Sequence, residues 1–217
     1  MQARDRVLRA LNGGQTSEDG DAALDALDQV LLLLMGAVDV SAGVAHAVLN
    51  IQTNPFLAKW QDKRFITALE PRAATLADFF KNNHPHQRTL QILTCLRNSI
   101  HGAALAQLRL AETFRRESTW VGIPARDVQL LRGAMKDLGG EPAWGVTGNA
   151  ADGYRADPGQ LADTLIIRTV DVLNAVLAET PVENLSGVVP GQTGQPDPTH
   201  ELLGVDGRRR VRLQLGI

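Results

Sequence analysis

The sequence contains one cysteine, Cys95, and a single thiol excludes an intrachain disulfide framework and a multi-cysteine zinc site. Cys95 lies in an apolar run and reads as a small buried hydrophobe, with nothing around it to mark an activated thiolate. Aromatic residues make up only 4% of 217, while alanine and leucine are abundant. That balance disfavours a sandwich or barrel and favours interdigitated helices. No apolar stretch follows Met1 ahead of a small-residue cleavage site, so no secretory signal is expected and the chain reads as cytoplasmic. Leu31 to Met35 is apolar, but Asp28 and Asp39 interrupt it short of the ~20 residues a bilayer needs. No membrane association is expected. Glycines between Gly145 and Gly153 lack a following Lys-Ser/Thr, and no serine sits in a nucleophile-elbow context. His84 and His86, with His46 and His200, lack cysteines or spaced carboxylates nearby and read as loop residues, so neither a metal nor a cofactor is expected. Trp60, Trp120 and Trp144 are too scattered to predict a stacking platform.

What the chain does contain suits one sizeable core: 44% of its residues are hydrophobic. The fold class expected is all-α, a helical bundle over 1–185 with a linker at 186–198 and a small C-terminal β-hairpin at 199–217. Arg4 to Leu11 predicts a short helix. A long one runs from Asp21 towards Asn50 after an N-cap at Ser17, with Leu24, Leu27, Leu31, Leu34 and Val38 at three- and four-residue spacing. Gly36 and Ser41 to Gly43 are expected to bend or split it. Phe56 to Leu69 and a segment begun by Pro71 follow, then a loop at Asn82 to His86. A further long helix is predicted from about Gln87 to Glu117, then a loop at Trp120 to Pro124 and an amphipathic helix over Asp127 to Leu138. Residues 140–156 read as irregular. Asp157 and Pro158 form an N-cap and N1 pair opening the last helix, which runs to about Glu179. Gly, Pro, Gln and Thr dominate the linker, and Asp206-Gly207 is a hairpin turn signal. Arg208 to Arg210 with Arg212 reads as a charged edge or a partner contact.

Charge is unevenly spread beneath a net of −2. Between Arg9 and Lys59 there is no Lys or Arg, whereas Glu18, Asp19, Asp21, Asp25, Asp28 and Asp39 are acidic. From Lys81 to Arg116 the balance reverses: Lys81, Arg88, Arg97, Arg109, Arg115 and Arg116 stand against Glu112 alone. Such a segment suits a polyanion, or it complements the acidic segment within the fold or across a dimer. Within it, Leu96-Arg97-Asn98-Ser99-Ile100-His101-Gly102 carries the most specific chemistry. Arg97 and His101 are i and i+4 neighbours at the border of the apolar stripe, so a permanent cation and a near-neutral titrator share one helix face. That combination suits a phosphodiester. The plain alternative pairs both with carboxylates such as Asp25, Asp28 or Asp78.

These seven residues resemble the signature of HEPN domains, helical bundles in which an Arg and a polar residue, often Asn, precede a His on one helix. The resemblance covers the motif helix and, more loosely, residues 21–180. Asn98, Ser99 and Ile100 separate Arg97 from His101, a closer spacing than the family's usual one, and Ala104 stands where members paired with nucleotidyltransferase antitoxins carry a Tyr. What the resemblance implies is metal-independent RNA cleavage, in a toxin or phage-defence setting. His101, with an ordinary pKa of ~6.5, would transfer the proton, and Arg97 would stabilise the non-bridging oxygens. Asn98 would orient His101 or a phosphate through its amide, and Arg88, Arg109, Arg115 and Arg116 would contact RNA. A homodimer would bring two Arg97/His101 pairs together to supply both base and acid. RNA, a second copy and a protein regulator are thus the expected partners. The alternative is a non-enzymatic dimeric interaction or adaptor protein.

Overall fold

The structure is a computed structural model that describes residues 2–11, 17–102, 106–113, 116–149, 151 and 153–184; between 100 and 117 only backbone is described. The fold is mainly helical with a small antiparallel sheet. Among the described residues there are seven α-helices: α1 Gln2–Leu11, α2 Ser17–Val48, α3 Lys63–Leu69, α4 Ala74–Asp78, α5 Pro85–Gly102, α6 Ala125–Lys136 and α7 Pro158–Ala178. Four strands, β1 Ala106–Thr113, β2 Arg116–Ile123, β3 Val146–Asn149 and β4 Gly153–Ala156, form one sheet in the order β1-β2-β4-β3. The chain divides into two compact units, one from 1–36 with 85–169 and the other from 37–84 with 170–217. Their boundaries fall inside α2 and α7.

In the first unit the predicted start of the last helix holds, while α1, α2, α5 and α6 begin at Gln2, Ser17, Pro85 and Ala125, two to four residues before the expected Arg4, Asp21, Gln87 and Asp127. Asp157 Oδ1 accepts from the Gln160 backbone N–H at 2.7 Å, so the N-cap before Pro158 forms as its sequence predicts. Leu24, Leu27 and Leu31 of α2 are buried, as are Leu161, Ala162 and Leu165 of α7. Arg4 Nε and Nη2 donate to the two carboxylate oxygens of Asp163 at 2.6 and 3.2 Å, tying α1 to α7. α7 also clasps the turn after α6: Arg168 donates to the Leu138 carbonyl, and Thr164 and Gln160 donate to those of Ala143 and Pro142.

The helix expected to reach Glu117 ends at Gly102 instead, and 106–123 is a hairpin. Gln107, Leu108, Arg109 and Leu110 alternate with period two, and β1 lies beside β2 from Ala106↔Gly122 to Thr113↔Arg116. Good helix formers there yield to the ladder that β2 completes with β4. The loop expected at 120–124 is therefore mostly strand, and the irregular 140–156 holds the β3–β4 hairpin. Its turn needs Gly148 at φ +116°, because an added Cβ would run into the Gly153 carbonyl oxygen. One face of the sheet buries Val121, Val146 and Ala156. On the other, the Arg155 guanidinium lies 5.2 Å from the Trp120 ring centroid, and Trp120 Nε1 donates to Ser118 Oγ at 2.8 Å.

The second unit is built on an aromatic cluster. Trp60 stacks on Phe80 at 4.4 Å and tilts against Phe65 at 5.4 Å, while its indole N–H donates to Ser41 Oγ at 2.9 Å. His46 lies over Phe65 and bonds the Thr53 carbonyl at 2.9 Å. The expected Phe56–Leu69 helix is a single 3-10 turn at Pro55–Leu57 followed by α3, whose N-cap is Asp62. α4 starts at Ala74 rather than at Pro71.

α2 is one unbroken helix through Gly36 and Ser41 to Gly43. An 18-residue window within it has a mean hydropathy of 1.8, so by length and composition alone it could cross a membrane; 44% of that window is buried in the protein. Asp28 is the polar exception on its inner side. Its Oδ1 is buried with no partner among the described residues, and burial, then the charge of Asp25, raises its pKa above the ordinary carboxyl value. A carboxyl with a raised folded pKa destabilises the fold when ionised, and that penalty disappears as pH falls below the unfolded value. Asp28→Asn is therefore expected to raise the denaturant midpoint modestly at pH 7, since solvent screens a part-exposed carboxylate, and to leave it unchanged at pH 3.

The linker at 186–198, the hairpin at 199–217 and its arginines lie outside the described residues.

Candidate functional site

α5 is the scaffold of the candidate site. Thr89, Leu90, Ile92, Leu93, Leu96 and Ser99 form its buried stripe, which recurs every three to four residues as a packed helix requires. α6 packs on α5, with Leu131, Ala134 and Met135 buried. Arg97 follows Leu96 by one position, about 100° round, and is half-buried at the margin of the stripe. Asn98 is exposed one step further on, and its Oδ1 accepts from Arg97 Nη1 at 3.0 Å. His101 is the next residue on the Arg97 face, four positions along α5.

Arg97 Nε is buried and has no hydrogen-bond partner among the described residues. No carboxylate among them lies within ion-pair distance of Arg97. The alternative pairings of the sequence go elsewhere: Asp78 lies 4.0 Å from Lys81, and Asp28 has the unpartnered oxygen described above. A buried guanidinium N–H without an acceptor forgoes a charge-assisted hydrogen bond of about 1.5–3 kcal/mol. An anionic oxygen at that position would restore it.

The other arginines separate. Arg88 stands nine positions before Arg97, about 180° round the helix, where Nε donates to Asp137 Oδ2 at 2.8 Å and Nη1 to Gln91 Oε1 at 2.9 Å. It braces α5 against the end of α6 and is not part of the Arg97 face. Arg109 and Arg116 belong to β1 and β2 rather than to the motif helix. Arg115 lies outside the described residues. The continuous basic helix read from the sequence is thus broken by the hairpin, and of the candidate residues α5 carries Arg97, Asn98 and His101 close together in sequence.

On the α6 side of α5, Ser99 Oγ sits 3.1 Å from the Cys95 carbonyl and 3.2 Å from Asp127 Oδ2, and Arg126 Nε donates to Asp127 at 3.4 Å. Burial, followed by the charge and hydrogen bond of Asp127, pushes the Cys95 thiol up to about 11. Cys95 is accordingly a thiol, not a thiolate, at neutral pH. Its alkylation by iodoacetamide is expected to be at least about tenfold slower at pH 8 than that of a free cysteine and to rise with pH towards 11. Equal rates at pH 8 would contradict this packing.

Sequence reasoning missed Arg155 and Trp120, because their pairing comes from strands β2 and β4 that lie some thirty residues apart, and only the alternation in 106–123 hinted at strands. No group of three or more His, Cys, Asp or Glu positioned for a metal ion occurs among the described residues. Compared with known proteins, the chain matches no family model, no curated protein and no solved structure.

Proposed function

We propose that the protein acts on RNA through the Arg97–His101 face of α5, as a HEPN-like metal-independent ribonuclease. The observation that supports this reading best is the half-buried guanidinium of Arg97, held by Asn98 and lacking a carboxylate partner among the described residues. A structural arginine at a helix border ordinarily finds a carboxylate, as Arg4 and Arg88 do. Among the described residues Arg97 has no carboxylate, and on this reading its buried Nε–H donates to a phosphate oxygen.

The chemistry follows from those groups. His101 takes the proton of a ribose 2′-OH as that oxygen attacks the adjacent phosphorus, and Arg97 stabilises the charge on the non-bridging oxygens. The bond to the 5′-oxygen breaks, and the imidazolium of a second His101 in a homodimer protonates the leaving oxygen. The products are a 2′,3′-cyclic phosphate and a free 5′-hydroxyl. Arg97 and Asn98 act as a unit: the amide holds one arm of the guanidinium fork and so fixes the direction of the others.

A second reading, a non-enzymatic dimeric interaction protein, draws on the exposed side chains of Leu33, Val40 and Phe56. Fluorescence anisotropy with a labelled single-stranded RNA, 2′-O-methylated throughout to prevent cleavage, separates the two. The ribonuclease reading expects Arg97→Ala to weaken binding about tenfold, Arg97→Lys to recover only part of it, and Arg88→Ala to change little. Equal affinity of parent and Arg97→Ala would favour the interaction reading.

A further inference from the structure

Phe56 is the most exposed large apolar side chain among the described residues, at 89%, yet its backbone is firmly held. Asn54 Oδ1 accepts the Phe56 N–H at 3.0 Å, and the Asn54 and Pro55 carbonyls accept from Leu57 and Ala58 at 2.9 and 3.0 Å. Proline at the first position of the turn fixes φ. An aromatic on a fixed backbone projects into water and has only two side-chain torsions to lose on binding, and that is the property of an anchor. Leu57 is exposed beside it, and Lys59 and Lys63, both exposed, follow within eight residues.

A complementary surface exists on the same chain. Asp25, Gln29, Leu32 and Gly36 recur at four, three and four positions on the outer side of α2, and Leu33 flanks them; all five are exposed. Leu32 is 45% and Leu33 66% exposed, and an added Cβ at Gly36 would meet nothing within 4 Å. The helix therefore carries an apolar notch floored by a glycine with an acidic approach at Asp25. The Phe56 turn is an apolar knob with a basic surround. Apolar contact at the centre and opposite charge at the rim are the anatomy of a specific interface.

We propose that Phe56 of one copy docks into the Leu32–Leu33–Gly36 notch of a second copy, with Lys59 or Lys63 facing Asp25. The contact does not involve α5 and stands apart from the RNA reading.

Sedimentation velocity of the full chain over a concentration series tests it. The parent is expected to self-associate, and Phe56→Ser to weaken association at least about tenfold, as loss of an aromatic anchor does. Gly36→Arg replaces a helical glycine by a better helix former in open space, so the fold should be retained or stabilised while the notch is filled and repels the lysines. It should weaken association as much as Phe56→Ser. Lys59→Glu/Lys63→Glu chains should associate poorly with themselves but recover on mixing with Asp25→Lys chains. Arg97→Ala should leave association unchanged, so an inactive ribonuclease site and a failed docking contact give different results. A parent that is monomeric throughout, or one whose association survives Phe56→Ser and Gly36→Arg, overturns the proposal.

Discussion

Trp60→Ala is expected to lower stability by about 3–5 kcal/mol, a large fraction of the about 5–15 kcal/mol that holds an ordinary protein folded. The indole fills the centre of the second unit, with Phe80 stacked on one side and Phe65 tilted against it. Alanine would leave a cavity lined by aromatic rings that cannot collapse without moving α3. The hydrogen bond to Ser41 is the smaller part of the effect, because Ser41 Oγ still donates to the Val38 carbonyl at 2.7 Å when the indole is gone. Trp60→Phe keeps most of the volume and loses that bond, so about 1–2 kcal/mol is expected. Urea denaturation followed by far-ultraviolet circular dichroism measures both. A Trp60→Ala loss below about 1 kcal/mol would show that the cluster is not a packed core.

The second large effect is on activity. On the proposed ribonuclease reading, Arg97→Ala removes the cation that would face developing charge on phosphorus, and loss of such a donor is expected to lower turnover about 10²–10³-fold. On the same reading His101→Ala removes the proposed proton acceptor, and a loss of about 10²–10⁴-fold is expected. The losses in the double variant should fall short of their product, because the two groups act on the same transition state. Asn98→Ala is expected to lower activity less, by releasing the Arg97 fork. Circular dichroism of each variant should match the parent: Asn98 is exposed, and Arg97 makes no ion pair among the described residues.

The sequence was most legible where a local signal met no competing long-range one. The cap at Asp157 and Pro158, the amphipathic α6 and the leucine periodicity of α2 are each decided within a few turns of helix, and the structure has them. The helix expected past Gly102 fails because ladder pairing with β2, which itself leans on β4, outweighs the helix propensity of Ala, Gln, Leu and Arg. Arg97 at the edge of the buried stripe was readable from its spacing to Leu93 and Leu96. Arg88 was not, since its partner Asp137 lies 49 residues away and no pattern in α5 announces it. Ser41 likewise reads as a helix breaker in sequence. In the structure it accepts the Trp60 indole N–H while bonding its own helix backbone, and α2 continues through it.

On the proposed reading, the α5 face holding Arg97 and His101 cleaves RNA without a metal. Purified full-length protein should be incubated in EDTA with total tRNA and a mixed-sequence RNA, beside Arg97→Ala, His101→Ala and Arg88→Ala of matched fold, and the ends of the products identified. The parent and Arg88→Ala are expected to leave 2′,3′-cyclic phosphate ends, and the other two none above background. Cleavage that survives loss of both Arg97 and His101, or a parent that neither cleaves nor binds either RNA, would contradict that reading.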